Sequence, residues 1–400
     1  MHRRTAVLLL CTALIALPGR LALADDSAGQ VVLPGVPERL SEQQACTAFK
    51  GRATSDAPWT RRALGLDQVW PLSQGRGVTV AVVGTGVSDG PAVLAGRVDA
   101  VDHAGKDCVG RGTFQAGLIA GAATPGQGFA GVAPQARILA VRGTGVRGEP
   151  DPARLAAGVR AAAEHGAGVI TVTAPLDGAD KAVRAALAVA AAKDSLVVAP
   201  AAADSVPLST GADAPAEAAP APPKDVLAVL DTGPRGTRPD GAPPFTRADI
   251  TAPGDALVGP GPVDGGLWTG SGASLAAAVT AGTAALVRSY HPELSAAQVR
   301  ERLLRTAYPA DLPALDPYGA VAGAEAPAAR AAAARPDPVR PVSHPDTAGA
   351  RNTALLVTAG AAGVALLVAF FAVALPRGRA RGWRPGRLGT GDARGGGGAP

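Results

Sequence analysis

The chain has 400 residues, of which 47% are hydrophobic and only 3% are aromatic, and its formal net charge is +5. This length and composition favour one main domain with attached segments and a core built mostly of Ala, Val and Leu. The charge is concentrated at the ends, since residues 1–24 carry +3 and residues 376–400 carry +5, which leaves −3 for residues 25–375. A central region with that balance excludes the basic surface that nucleic-acid binding requires.

Residues 1–24 have the form of a secretory signal peptide. Two arginines precede an apolar run, and the small-residue segment 21–24 ends it directly before two aspartates. The segment 18–20 interrupts the apolar run, and an N-terminal membrane anchor would need a longer clean stretch. We therefore expect residues 25 onward to be exported.

The segment 353–375 contains no charged residue and would span about 33 Å as a helix, which is enough to cross a bilayer. Five arginines follow it closely: Arg377, Arg379, Arg381, Arg384 and Arg387. Positive residues remain on the cytoplasmic side, so the pattern predicts a single-pass protein of the cell membrane. Its main domain would be extracellular and its Arg/Gly-rich tail, 376–400, cytoplasmic. A buried core helix is a poorer interpretation of so long an apolar run beside five arginines.

Two of the three cysteines remain after export, because Cys11 lies in the signal peptide. Cys46 and Cys108 form an even pair on the oxidising side of the membrane, which predicts a disulfide. In the chain-entropy description such a bond contributes about 4 kcal/mol. Two free buried thiols are the alternative.

An N-terminal extension, 25–57, precedes a short amphipathic helix predicted over 58–71. Alanine-rich helices are predicted over 152–165 and 177–193. Short β-branched runs predict buried strands at 78–83, 138–141, 168–173, 195–199 and 226–230. Strands that alternate with helices indicate the α/β class, with a mostly parallel sheet covered by helices on both faces. In such sheets active sites lie at the carboxyl ends of the strands.

The last part of the domain is predicted to be helical. A glycine-rich turn leads into a small-residue apolar helix within 268–287, and a capping box of Ser295 and Gln298 begins a second helix within 292–307. We place the end of the domain near residue 322. The Ala/Pro-rich segment 323–352 lacks residues that could pack and is interpreted as a linker to the membrane helix.

Ser274 stands where the glycine-rich turn becomes a helix. A serine in that position presents its hydroxyl beside the free N–H groups of the first helical turn, which is how a nucleophilic serine is placed. The alternative is a serine that caps the helix N-terminus, since serine is favoured there whatever its chemistry.

Residues 58–322 resemble a subtilisin-like domain, and the whole layout resembles the mycosins, which are membrane-anchored subtilisin-like proteases associated with actinobacterial type VII secretion. The similarity extends over several ordered motifs: the lead-in at 62–71, the strand and turn at 80–87, the segment 107–117, the segment 250–254, and Gly272-Ala-Ser-Leu-Ala-Ala-Ala278 around the serine.

The resemblance implies an aspartate that orients a histidine, a histidine that accepts the serine proton, and an asparagine that donates to the oxyanion. Gly84 stands at the aspartate position, Arg111 at the histidine position and Ala203 at the asparagine position, so only Ser274 remains. An arginine cannot lose its proton and cannot act as a general base.

Titratable residues lie next to the lost positions, but they are poor substitutes for them. Asp89, Asp102 and His103 lie near the degenerate motifs but at different backbone positions, and a misplaced base loses most of its effect. Asp204 follows the asparagine position, where a carboxylate would repel developing negative charge. No His or Cys spacing predicts a metal site, and no glycine loop predicts a nucleotide or other cofactor.

The sequence therefore predicts a pseudoprotease that serves as a scaffold or partner-binding component of a type VII secretion system. Its expected partners are secretion membrane components or secreted peptide segments. The alternative is an active serine endopeptidase that processes secreted substrates through Ser274 with an unusual base. A third hypothesis is a groove that captures peptides without cutting them.

Overall fold

The structure is a computed structural model that describes residues 32–48, 50–52, 54–123, 128–205, 218–263, 266–323 and 348–380. The chain forms two compact units, Met1–Glu325 and Ala326–Pro400. The predicted signal peptide, most of the predicted linker and most of the predicted cytoplasmic tail lie outside the described residues.

A seven-stranded sheet is the centre of the first unit, with strand order β2-β3-β1-β4-β5-β6-β7 and parallel pairing throughout. Its strands are β1 (Thr79–Gly84), β2 (Val98–Ala100), β3 (Arg137–Arg142), β4 (Val169–Val172), β5 (Leu196–Pro200), β6 (Leu227–Thr232) and β7 (Ile250–Pro253). Each of the five predicted runs forms one of these strands, with bounds that differ by one or two residues at each end.

The described helices are α1 (Trp59–Ala63), α2 (Leu66–Val69), α3 (Arg111–Ala120), α4 (Pro152–Glu164), α5 (Lys181–Ala192), α6 (Ala273–Tyr290), α7 (Ala296–Thr306), α8 (Pro317–Ala322) and α9 (Ala348–Ala380). In β1, Val80 and Val82 face the core shared with α3 and α6, whereas Ala81 and Val83 face the core shared with α4 and α5. This two-residue alternation is why a continuous apolar run is buried on both faces. The predicted α/β architecture is confirmed.

Helix α6 is buried around its whole circumference as far as Val287. Small residues allow it to lie directly against the sheet, and Ser73 Oγ donates to the Leu286 carbonyl oxygen near its end (2.8 Å). The capping box at the start of α7 is present, with Gln298 N donating to Ser295 Oγ (3.3 Å) and Ser295 N donating to Gln298 Oε1 (2.8 Å).

Two predicted helices differ in the structure. The single helix expected over 58–71 is two short helices, because Gly65 adopts a left-handed conformation (φ +58°) between α1 and α2. The helix expected over 177–193 begins only at Lys181, because the Asp180 carboxylate accepts from Ala182 N (2.6 Å) and caps it there.

The N-terminal extension lies against a separate antiparallel hairpin, β8 (Leu257–Pro260) and β9 (Leu267–Gly270). Thr269 exchanges backbone hydrogen bonds with Pro34 and Val36 (2.8 Å each), and Arg52 and Leu267 bond reciprocally (3.0 and 2.9 Å). Strand β8 pairs with one edge of β9, and the N-terminal extension pairs with part of the other edge.

In the second unit, α9 contains an apolar span, Asn352–Arg377, with a mean hydropathy of 2.4. This length and composition make it a candidate membrane-spanning helix.

Candidate functional site

The site predicted from the sequence lies at the carboxyl edge of the sheet. There β1 ends at Gly84, α3 begins at Arg111, and the segment after β5 carries Ala203 and Asp204. Parallel strands bring such loops to one edge, where the positive N-terminal ends of the following helices also lie.

Gly84 leaves no space for a side chain. A Cβ placed on it would be 2.3 Å from Thr173 Cγ2, and the Thr173 backbone N donates to the Val83 carbonyl oxygen (3.2 Å). The Thr173 methyl group therefore fills the volume beside Gly84. No sequence motif pointed to Thr173 as a neighbour of this position.

Arg111 is the first residue of α3 and is only 3% exposed. Its Nη2 donates to Asp204 Oδ2 in a salt bridge, to the Ser271 carbonyl oxygen (3.0 Å) and to Ser274 Oγ (3.3 Å). Its Nε has no hydrogen-bond partner among the described residues. The guanidinium group thus stands beside the serine hydroxyl and donates hydrogen bonds to it without being able to accept its proton.

The start of α3 is fixed by Asp107. Its carboxylate accepts from Gly110 N, Thr113 N and Thr113 Oγ1, each at 2.8 Å. Burial raises the pKa of Asp107, and these hydrogen bonds oppose that shift. Thr85 Oγ1 also accepts from Gly112 N (2.9 Å), so the turn after β1 and the start of α3 hold each other in place.

Ser274 is the second residue of α6 and is fully buried. It does not cap the helix, because the N-cap residue is Gly272, which has no side chain to do so. Gln115 Nε2 donates to the Ser274 carbonyl oxygen (3.1 Å) and links α3 to α6. The N-cap interpretation of Ser274 is therefore wrong.

Asp204 provides the group that meets the serine. Ser274 N donates to Asp204 Oδ1 (2.7 Å), and Ser274 Oγ donates to Asp204 Oδ2 (2.5 Å). The side chains of Arg111 and Asp204 are only 4% and 5% exposed. Gly272 makes this approach possible, since a Cβ there would be 2.3 Å from Asp204 Oδ1. The sequence placed Asp204 beside Ala203 but gave no reason to expect its side chain at the serine.

A second carboxylate lies close to this group. Asp231, at the end of β6, is buried and forms an ion pair with Arg238 (3.4 Å). Burial is the main reason that the pKa of Asp231 is raised, and the negative charge of Asp204 contributes, while Arg238 opposes the shift. Asp204 and Asp231 thus each have an arginine partner, Arg111 and Arg238.

None of the described histidines contacts this cluster. His165 Nδ1 and His291 Nε2 lie 2.8 and 2.9 Å from backbone carbonyl oxygens at helix ends, and the exposed His103 contributes its carbonyl oxygen to Arg142 (3.2 Å). Asp89 and Asp102 are likewise exposed. Within the described residues, no group of three or more His, Cys, Asp and Glu could hold a metal ion.

Cys46 and Cys108, which the sequence analysis expects to pair, form a disulfide. Beside it, Thr47 N donates to the Cys108 carbonyl oxygen (2.9 Å). The bond attaches the N-terminal extension three residues before Arg111, at the loop that leads into the site.

The parallel sheet, the buried central helix and the serine in that helix's first turn match the arrangement of a subtilisin-like fold. The model of the subtilase family matches residues 75–338, and the chain belongs to that family. It is 33% identical over 419 residues to Mycosin-4 of Mycobacterium tuberculosis, which covers 89% of this chain and 90% of the relative.

Solved structures agree with this assignment. The structure of MycP3 protease from the type VII (ESX-3) secretion system is 31% identical, with a TM-score of 0.58 over 74% of this chain and 99% of that one. A structure of the periplasmic assembly from the ESX-5 inner membrane complex is 25% identical, with a TM-score of 0.60 over 79% and 95%. The chain is thus a mycosin-like member of the subtilase family.

Proposed function

We propose that this chain is a membrane-anchored, mycosin-like pseudoprotease that serves as a scaffold or partner-binding component of a type VII secretion system. The observation that carries the proposal is the state of Ser274. Its hydroxyl is buried, donates to the Asp204 carboxylate and accepts from the Arg111 guanidinium. Its hydroxyl is thus already engaged by two charged side chains, and none of the described histidines is placed to activate it.

The oxyanion position offers a second argument. A subtilisin-like serine needs free donors for the negative charge that develops on the substrate oxygen. Here the Ser274 N–H is already occupied by Asp204 Oδ1 (2.7 Å), and a carboxylate stands where that oxygen would develop its charge. The Asp204 carboxylate would therefore repel the negative charge of the transition state instead of stabilising it.

The alternative function is a serine endopeptidase in which Asp204 is the unusual base. The 2.5 Å separation of Ser274 Oγ and Asp204 Oδ2 favours it, since a base must lie within hydrogen-bond reach of the proton it takes. The salt bridge to Arg111 opposes it, because an Asp204 that took the serine proton would leave the buried guanidinium without its ion-pair partner. The inert form is therefore the better supported of the two.

Placement in the cell envelope follows from α9. Its apolar span is long enough to cross a bilayer, and the arginines that begin at Arg377 would remain on the cytoplasmic side. The subtilase domain would then be extracellular, where its disulfide is stable. The role in type VII secretion is supported by similar proteins described as parts of ESX-3 and ESX-5 systems.

The test is labelling of the purified full chain with a fluorophosphonate probe, which reacts with activated serine hydroxyls. We expect no more labelling than in the Ser274→Ala variant. Subtilisin Savinase, a 31% identical relative, is the positive control in the same mixture. Stoichiometric labelling that depends on Ser274 would contradict the pseudoprotease and favour the endopeptidase with Asp204 as base.

A further inference from the structure

The N-terminal end of α6 already holds one anion. This helix has 18 residues, and its N-cap, Gly272, offers no side chain to its free N–H groups. The Asp204 carboxylate takes that place by accepting from Ser274 N (2.7 Å), from Ser274 Oγ (2.5 Å) and from Arg111 Nη2. Two hydrogen-bond donors, a cation and the positive end of a long helix thus converge on one carboxylate.

An unpaired donor on Arg111 is the second observation. The Nε and Nη2 groups share one edge of a guanidinium, and together they match the two oxygens of a carboxylate. Asp204 accepts from Nη2 alone, and the buried Nε has no partner among the described residues. Because the Asp204 carboxylate is attached to its own backbone, it reaches only one of these two donors. A carboxylate on a separate molecule could accept from both.

The neighbouring charges decide how many anions the site can hold. Asp231 is buried close to Asp204, and Arg238 is its ion-pair partner. Each of these aspartates already has an arginine partner, and Asp204 already accepts from both Ser274 donors, the N–H and the hydroxyl. An incoming carboxylate must therefore replace Asp204 to reach those donors.

We propose that the first turn of α6 and Arg111 form a carboxylate-binding site that the chain fills with its own Asp204, and that takes the C-terminal carboxylate of a peptide in exchange. The inference rests on the proposed function in one respect, since a site used for hydrolysis would have to keep Ser274 N free for the substrate oxygen. It gives the degenerate site a ligand class: peptides that end in a free carboxylate.

The first experiment asks whether the site recognises carboxylates, with formate as the probe. Asp204→Gly removes the internal carboxylate from the full chain in detergent. We expect formate to raise the Tm of this variant by at least 5 °C above equal ionic strength of chloride, and formamide to leave it unchanged. If Asp204→Gly is unfolded in chloride, a cooperative unfolding transition that returns in formate supports the site equally.

Two controls make the formate experiment specific. Wild-type protein should bind formate at least tenfold more weakly than Asp204→Gly, because formate must first displace Asp204. Asp204→Gly combined with Arg111→Met should bind formate at least tenfold more weakly than Asp204→Gly alone. If Asp204→Gly has the same Tm in formate and in chloride, there is no carboxylate-binding site. The same conclusion follows if the double variant binds formate as tightly as Asp204→Gly alone.

The second experiment tests the exchange. A fluorescent four-residue alanine peptide is compared with its C-terminal amide by anisotropy. We expect the acid to bind Asp204→Gly at least tenfold more tightly than the amide, and wild type to show the same preference with lower affinity. If wild type binds the acid and the amide equally, the peptide carboxylate does not displace Asp204. If Asp204→Gly also binds them equally, the carboxylate that fills the site does not come from a peptide C-terminus. Neither outcome depends on fluorophosphonate labelling, so failure of this inference and failure of the proposed function are distinguishable.

Discussion

The Arg111–Asp204 ion pair joins the residue predicted at the histidine position to the residue that follows the predicted asparagine position. Both side chains are almost fully buried, so their charges depend on each other and on Ser274. Removal of one partner leaves an uncompensated buried charge, which costs about 3–5 kcal/mol, whereas removal of both costs much less. The pair therefore couples α3 to the loop after β5 and to the start of α6.

We expect Asp204→Ala to lower the free energy of unfolding by about 3–5 kcal/mol, and Arg111→Met in the same chain to recover a large part of that loss. Denaturant unfolding followed by tryptophan fluorescence measures both. The exposed pair Asp99–Arg137, with side chains 59% and 48% exposed, is the matched control, and Asp99→Ala should cost less than about 1 kcal/mol. Similar costs for the buried and the exposed pair would contradict the role assigned to Asp204.

Restoration of activity should be cumulative. Gly84→Asp alone should lose about 1–3 kcal/mol of stability, because its Cβ would lie 2.3 Å from the Thr173 methyl carbon, and Thr173→Ser, which removes that carbon, should restore it. With Thr173→Ser and Arg111→His added, some acyl transfer becomes possible. Ala203→Asn and removal of the Asp204 carboxylate are then needed for appreciable rate, since a donor must replace a charge at the oxyanion position.

The rate of hydrolysis of a peptide p-nitroanilide is measured for each of these variants. The same variant with Ser274→Ala added is the blank. The matched comparison is the rebuilt protein with and without Asp204. Robust hydrolysis by Arg111→His alone would show that Gly84 is not a missing orienting position.

At the scale of elements, local patterns were sufficient for most of the sheet and for α7. The run from Val80 to Val83 is short and rich in valine, which favours a strand buried on both faces, and Ser295 with Gln298 marks a helix start within four residues. The break at Gly65 was missed because a left-handed glycine within an amphipathic pattern has no separate signal. The position of Asp204 could not be predicted, since its contact with Ser274 joins residues 70 apart and depends on the missing Cβ of Gly272.

The disulfide should determine how firmly the extension is held. Cys46 and Cys108 are 62 residues apart, and closure of such a loop contributes about 4 kcal/mol in the chain-entropy description. We expect the Cys46→Ser/Cys108→Ser variant to lose stability of this order and to release the extension to protease first. Mass mapping of a non-reduced digest should find the linked peptides in the wild type, and two free thiols there would contradict the pairing.

At the scale of the whole molecule, the proposed pseudoprotease combines a subtilase domain with a candidate membrane-spanning helix. The subtilase domain retains its fold and its buried helix α6, and the span in α9 contains no charged residue before Arg377. Charged residues in the middle of a membrane helix are costly. A chain whose use is mechanical or adhesive needs the fold and the anchor, whereas a protease also needs its base.

Changes at Ser274 and in α9 test separately whether the protein needs its serine and whether it needs its membrane helix. Ser274→Ala should leave the function intact, because the hydroxyl has no base within its motif. Its loss removes the hydrogen bond to the Asp204 carboxylate, about 1.5–3 kcal/mol, and the longer one from Arg111 Nη2, while Ser274 N and Arg111 still hold Asp204. Replacement of residues 353–375 by a polar linker should instead release the domain from the membrane. The measurement is complementation of a deletion strain, scored by secretion of type VII substrates with protein levels checked by immunoblot. Full function of the released form, or none from a stably expressed Ser274→Ala protein, would overturn the scaffold, because in either case the cell would be using something other than an anchored and catalytically silent domain.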